Sequence, residues 1–440
     1  GNLEKLRSEL NEYVQELHRN YPNGFSASDC FSLLFRRKRV PPEGLLRIDC
    51  LRHTREEYEE AGRLAADLAN AWSETSPEAL AAMRWLALAA WSPIFERDLL
   101  AAARALCDAA RKLEAAFGTL SGVLGLRRSG KLAYLYRAAL LAEAFKGCGA
   151  IPAPFLAEEF PARAAMLKDF AEDDLRSREL TGTLNHYRLE LVTELDFAGI
   201  SARIEENARA FFPIRFFRNR ALLRELAGLK KIGGARLTIA ELIRVLPDLE
   251  AYAICRRRID EVAAEVESLL GPLWNHGEPE WRVLRPAMEQ AQKLHSLIDS
   301  LAEIEPEAKM PLLAALRTLL PEAERHFAAR APQRSRINDL LRAWNEFQEQ
   351  QQQFSAYAPA AGEELELAPL MEGVKRILDG AGMVRGVLRY RRLKMEAEAK
   401  GIGGFAAALE AGTLVPAEVA GIFDYVYGSE MLNQILAQSP

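Results

Sequence analysis

The segment Gly125-x-x-x-x-Gly130-Lys131-Leu132 has the glycine spacing and the lysine of a nucleotide phosphate loop. Its last position is Leu132, which has no hydroxyl to offer a magnesium ion, and residues 119–124 make a poor buried strand to precede it. The stretch therefore reads as a glycine-rich connection between helices. Cys50-x-x-His53 has the spacing of two metal ligands, yet zinc needs four and no further pair lies nearby in sequence. The six histidines (His18, His53, His186, His276, His295 and His326) form no H-x-x-x-H pair. None follows a glutamate by three residues, so the di-iron bundle pattern is missing as well. No Gly-x-Ser-x-Gly nucleophile elbow occurs. These patterns predict no catalytic residue, no metal and no cofactor within this chain.

Basic side chains give the better signal. Residues 209–231 hold seven of them, Arg209, Arg215, Arg218, Arg220, Arg224, Lys230 and Lys231, opposed only by Glu225. Phe211, Phe212, Phe216 and Phe217 are interleaved with them. Cationic groups neutralise phosphates and aromatic rings stack on bases, so this combination is a candidate nucleic-acid contact. Four phenylalanines this close together suit a packed core or a helix staple as well. A second group is Arg385, Arg389, Arg391, Arg392 and Lys394, with no acid anywhere in residues 380–395. A third is Arg36, Arg37, Lys38 and Arg39. A fourth, Arg256, Arg257 and Arg258, is followed by Asp260 and Glu261 and reads as a salt-bridged surface. The candidate contact residues are therefore Arg215, Arg218, Arg220 and Arg224 first, with Lys230 and Lys231 beside them. Arg389, Arg391, Arg392 and Lys394 come next, then Arg36, Arg37 and Lys38.

The elements that must hold these side chains are helices, because the apolar period is helical nearly everywhere. Leu3, Leu6, Leu10, Val14 and Leu17 form one stripe. Ser26 with Asp29, and Thr54 with Glu57, have the spacing of capping boxes. After Thr54 the stripe is Tyr58, Ala61, Leu64, Ala65, Leu68 and Trp72. Ser76-Pro77 and Ser92-Pro93 each predict a long helix, the second ending near Phe117 with a glycine-rich break over residues 118–132. Thr238 with Glu241 starts a helix that Pro247 should kink or split before it continues to about Leu270. Further helices begin near Pro279, Pro306 and Pro332, and the glutamines at 350–353 read as a solvated face of the last. Residues 47–51 are the one stretch that reads as extended. No repeat of fixed length aligns, which argues against a solenoid.

The fold class predicted is all-α, with long antiparallel helices in a bundle or arm and a smaller helical base. Residues 1–53 and 360–440 are expected to form the base, bringing the two chain ends together, and residues 54–355 the arm. Composition fits a globular chain: 440 residues, 49% apolar and 27% charged. The net charge of −5 confines any nucleic-acid contact to local basic patches. Five cysteines without a C-x-x-C motif predict reduced thiols and a cytoplasmic location. The most apolar run, around residues 85–91, is too short to span a bilayer, so no membrane partner is expected. No signal peptide is apparent in the opening residues. The start at Gly1-Asn2 reads as that of a piece excised from a longer protein.

Three segments carry a resemblance. Residues 6–18 (LRSELNEYVQELH), followed by Gly24-Phe25-Ser26, resemble a stretch downstream of the phosphate loop in large bacterial superfamily I DNA/RNA helicases. Residues 211–220 (FFPIRFFRNR) look like the aromatic-and-arginine segment of those proteins where a helix begins. The end of the chain, from Tyr390 to Leu436 and including residues 423–428 (FDYVYG), looks like the segment where their helical insertion returns to the ATPase core. The resemblance implies an accessory helical insertion of the first RecA-like domain that guides or clamps single- or double-stranded nucleic acid, or recruits a partner. It would bind ATP and magnesium only through a core outside these residues. The other reading is a helical protein–protein interaction scaffold with no nucleic-acid role.

Overall fold

The computed structural model describes residues 2–35, 41–231 and 236–438. The protein is all-α. Eighteen α-helices are joined by turns and short 3₁₀ segments, and two isolated backbone bridges stand in place of any strand among the described residues. No helix among them is long and apolar enough to cross a membrane. The chain divides into two compact units. Unit one holds residues 1–115, 130–132 and 342–440, and unit two holds residues 116–129 and 133–341.

Unit one begins with α1 (Asn2–Leu17), α2 (Ala27–Phe35), α3 (Arg55–Ser73), α4 (Pro77–Ala82) and most of α5 (Pro93–Leu124). Unit two takes the end of α5, most of α6 (Leu132–Phe145), then α7 (Phe160–Thr183), α8 (Phe197–Arg209), α9 (Phe212–Glu225), α10 (Ile239–Leu270), α11 (Trp281–Ile304), α12 (Lys309–Leu319), α13 (Ala323–Phe327) and the start of α14 (Pro332–Ser355). The rest of α14 returns to unit one, which closes with α15 (Leu367–Asp379), α16 (Val384–Ala399), α17 (Gly404–Glu410) and α18 (Val419–Gln438).

Local signals set several helix starts. Thr54 and Glu57 form a capping box: the threonine hydroxyl accepts from the Glu57 N–H, and the Glu57 carboxylate accepts from the Thr54 N–H at 2.7 Å. Ser26 and Asp29 do the same ahead of α2, with the Ser26 N–H donating to Asp29 at 2.9 Å. In α3 the stripe Ala61, Leu64, Ala65 and Leu68 is buried as its period requires. It packs into one core with Cys30, Leu45 and Cys50 from the start of the chain and Tyr390, Phe405, Phe423 and Tyr427 from its end. The Tyr58 ring lies 4.9 Å from Phe25 and 4.7 Å from Tyr427. Asn23 is buried there and donates to the Cys50 carbonyl at 3.0 Å, so its amide is not left unsatisfied.

Unit two packs α7 against α10 and α11. Trp281 is buried on α11 and its indole N–H donates to Asp174 of α7 at 2.6 Å, while Arg178 pairs with the same carboxylate at 2.7 Å. A second apolar cluster joins Leu180, Leu184 and Tyr187 to Leu222, Leu226, Leu229, Leu242 and Leu249.

Several local expectations are corrected. The helix after Ser76 stops at Ala82. The Arg391 guanidinium takes the carbonyls of Leu80, Met83 and Leu86 at the helix end and the turn after it, where Met83 also accepts from the Leu86 N–H. The next helix runs through Gly118 and Gly122 to Leu124, because burial of Leu120 and Leu124 outweighs two glycine penalties of about 1 kcal/mol each. Pro247 does not split α10. The carbonyl it deprives of a donor belongs to Ile243, a residue that is 52% exposed. Residues 47–51 are turns and bends, anchored by the Arg47 N–H donating to the Gly401 carbonyl at 2.7 Å. In the apolar stripe of α1, Leu17 packs against the core, while Leu3, Leu6, Leu10 and the nearby Tyr13 stand exposed.

Gly401 and Gly412 both have positive φ, 74° and 68°, but a side chain at 401 would meet the Arg47 carbonyl at 2.5 Å, whereas 412 faces open space. G412A should therefore cost only the left-handed backbone penalty of about 1–2 kcal/mol. G401A should add about 1–3 kcal/mol of overpacking. Urea midpoints of the two variants test this, and equal losses would show that the close approach at Gly401 is not limiting.

Candidate nucleic-acid interface

The arginine–phenylalanine segment is a helix held on one side. Asp196 caps α8 by accepting from the Gly199 N–H, and Pro213 sits in the first turn of α9, where its missing N–H costs nothing. Leu222 is the buried residue of α9, and Leu226 and Leu229 continue the same apolar anchor. Polar contacts fix α9 to α8 around that anchor. Asn219 accepts from the Asn207 amide at 3.0 Å, Arg218 pairs with Glu206 at 2.6 Å, and Glu225 pairs with Arg203 at 2.8 Å.

At about 100° per residue, Arg218, Asn219, Leu222 and Glu225 share the α8-facing side. The opposite side carries Phe216, Phe217, Arg220 and Arg224, with Phe212 at its edge. All five are exposed, with Phe216 at 52% and Phe217 at 68%. Phe211 and Ile214 are exposed as well. Four phenylalanines on one short helix thus contribute nothing to the core. Arg215, Arg220 and Arg224 make no ion pair with any described residue, and α9 has no carboxylate before Glu225. The outer face therefore combines open rings with uncompensated positive charge.

The other predicted residues are held differently. Lys230 lies half-buried and pairs with Glu241 at 2.7 Å, and Glu241 also accepts from the Tyr187 hydroxyl at 2.8 Å. The Lys230 hydrogen bond, then that of Tyr187, hold the Glu241 carboxyl below its usual pKa. Lys230 thus belongs to the fold, whereas Lys231 next to it is exposed. In the second basic group, Arg391 binds three carbonyls, at 2.9 Å to Met83 and 3.2 Å to Leu86, and burial lowers its pKa. Arg389 pairs with Glu74 at 3.1 Å, Lys394 with Glu410 at 2.8 Å, and Arg385 stacks over the Trp91 ring at 4.8 Å. Arg392 alone of this group is exposed without such a contact among the described residues. A basic run without nearby acids in sequence is thus used by acids and carbonyls distant in sequence. Arg36, Arg37 and Lys38 lie outside the described residues. Arg256 pairs with Asp260 at 3.0 Å, a salt-bridged surface as its spacing predicts.

The metal-like and loop-like motifs have structural roles. Gly125 has φ 66°, and a side chain there would meet the Pro311 carbonyl at 2.9 Å. The Gly130 carbonyl accepts from the Leu367 N–H at 2.8 Å, and the Leu132 N–H donates to the Leu365 carbonyl at 2.9 Å, so this backbone is paired rather than open to a phosphate. Cys50 is buried, and burial pushes its thiol up to about 12. Among the described residues no three His, Cys, Asp or Glu side chains converge as metal ligands. His295 is buried with its ring against the Phe155 carbonyl at 3.0 Å, and burial lowers its pKa.

Exposure of the phenylalanines is the part of the site that residue types could not supply. The pattern allowed a core, and the helical period does not decide against one: the three phenylalanines of α9 lie within about 140° of one another. The expected consequence for the second basic group is that R391A destabilises the protein by about 2 kcal/mol, because it removes three charged hydrogen bonds, those to the Leu80 and Leu86 carbonyls among them. R392A should be within about 0.5 kcal/mol of the parent. Thermal unfolding of the two variants is the check, and an unchanged R391A would remove the structural role assigned here.

No family model matches the chain, and no curated protein or solved structure shows significant similarity to it.

Proposed function

We propose that this chain is an accessory helical region that contacts nucleic acid through the outer face of α9, beside an ATP-driven motor of the superfamily I helicase type carried elsewhere in its parent protein. The observation that carries the reading is the placement of Arg220 and Arg224, without ion-pair partners among the described residues, on the same exposed face as Phe216 and Phe217. Exposed apolar area of this kind on a helix marks a surface that meets a partner. Uncompensated arginines favour a polyanion as that partner. In this reading the chain supplies positioning and no catalytic group. ATP and magnesium belong to the RecA-like core, and the superfamily assignment rests on the three segments of resemblance at residues 6–26, 211–220 and 390–436.

The mechanism is electrostatic. Arg220 and Arg224 neutralise backbone phosphates and release counterions, which gives binding that is steeply salt-dependent and tolerant of sequence. Arg218 acts differently, since its pair with Glu206 orients α9.

The scaffold reading has an observation of its own. Leu3, Leu6, Leu10 and Tyr13 of α1 recur at alternating steps of three and four and are at least 60% exposed, the pattern of a seam for another helix. The two readings concern different surfaces and can both hold.

Fluorescence anisotropy with labelled DNA and RNA at increasing salt tests the first reading. Binding should weaken linearly in log–log form, and R220A/R224A should flatten the slope by about 1.4 for single strands. Absence of binding at low salt would overturn it and leave the scaffold reading.

A further inference from the structure

We propose that the α9 face selects unpaired bases, with Phe216 and Phe217 as the stacking residues; this rests on the nucleic-acid reading of the same face. The two rings lie 5.7 Å apart at 79° to each other, so they meet edge to face and do not cover one another as a stacked pair would. Each remains more than half exposed. In a duplex the faces of the bases are covered by their neighbours, and a side chain reaches them only by unstacking a step. In a single strand those faces are free, and a ring beside a phosphate-binding arginine can take one directly. Arg220 lies one turn beyond Phe216, and Arg224 one further turn along, a rise of about 6 Å for each step. The rings therefore lie toward the start of the face and the cations toward its end.

The chemistry of the face also sets what it ignores. Between Phe212 and Glu225 there is no Ser, Thr or Gln, and the single Asn219 is engaged by Asn207. Arginine apart, nothing on α9 offers the donor–acceptor pairs that read base edges, or a partner for a ribose 2′-hydroxyl. Binding should thus be indifferent to sequence and similar for DNA and RNA. The face is also pre-organised, because the Arg218–Glu206 and Asn219–Asn207 contacts hold α9 on its other side before any strand arrives.

The test uses the full chain with fluorescein-labelled 20-mers: a mixed single-stranded DNA, the same sequence as RNA, and the blunt DNA duplex. Vesicles containing phosphatidylserine serve as an anionic surface without bases. Single strands should bind at least about ten-fold tighter than the duplex. F216A/F217A should lose on the order of ten-fold per ring toward single strands. It should leave duplex binding and the salt slope unchanged, whereas R220A/R224A should weaken both substrates. F216W/F217W should restore single-strand affinity, which separates stacking from a general surface effect. Equal affinity for duplex and single strand, or an F216A/F217A variant with unchanged single-strand affinity, would overturn this inference and leave the nucleic-acid reading standing. Binding to no nucleic acid at low salt would overturn both. So would vesicle binding stronger than strand binding and lost in F216A/F217A, which would make the face a membrane contact.

Discussion

The core of unit one depends on apolar contact between segments at opposite ends of the chain. Asn23 and Tyr427 are 404 positions apart, yet share a buried hydrogen bond of 3.1 Å. Around that pair, Phe25, Tyr58, Phe423 and Tyr427 bring their rings together with Cys30, Cys50 and Met431. Helices are stabilised in proteins mainly by packing an amphipathic face, not by propensity. With no sheet among the described residues to organise them, α3, α16, α17 and α18 owe their arrangement to this shared apolar surface. The glycines at 401 and 404 let the backbone before α17 approach residues 44–48 closely enough for it to close.

The same economy governs the charges. An arginine drawn into a fold needs acceptors to offset its desolvation, and Arg391 finds them in three carbonyls at the end of α4 and in the turn after it. Arg389, Lys394 and Lys230 find carboxylates. These residues are cations of the structure, with their hydrogen-bonding capacity already engaged. Arg220 and Arg224 stand apart, because no described acid comes near the outer side of α9 and the four phenylalanines around them stay in water. A fold gains nothing from such a face. Exposed rings cost hydration free energy that burial elsewhere must offset, which is why a surface of this composition points to a partner.

Much of the helical framework was legible in the sequence, residue by residue. Thr54 with Glu57 and Ser26 with Asp29 announced their helices because a capping box is complete within four residues. The stripe from Ala61 to Leu68 announced a buried face because its period needs no knowledge of the partner. Lengths were less legible. Ser76-Pro77 marks a true start, but the stop after Ala82 is favoured by Arg391, more than three hundred positions away. Pro247 suggested a break, yet α10 runs through it.

The sequence by itself therefore determined the all-α class, the caps and the phase of the apolar stripes, all of which arise from interactions across one or two helical turns. Only the tertiary structure decided which stripes find a partner and which cations are already engaged. The α1 and α3 stripes read alike, yet one is mostly exposed and the other buried. The arginines of α9 and α16 read alike, yet Arg220 is exposed with no ion pair among the described residues and Arg391 is engaged. Burial and pairing are properties of what lies across from a side chain, and in this chain the facing residue comes from a segment tens to hundreds of positions away.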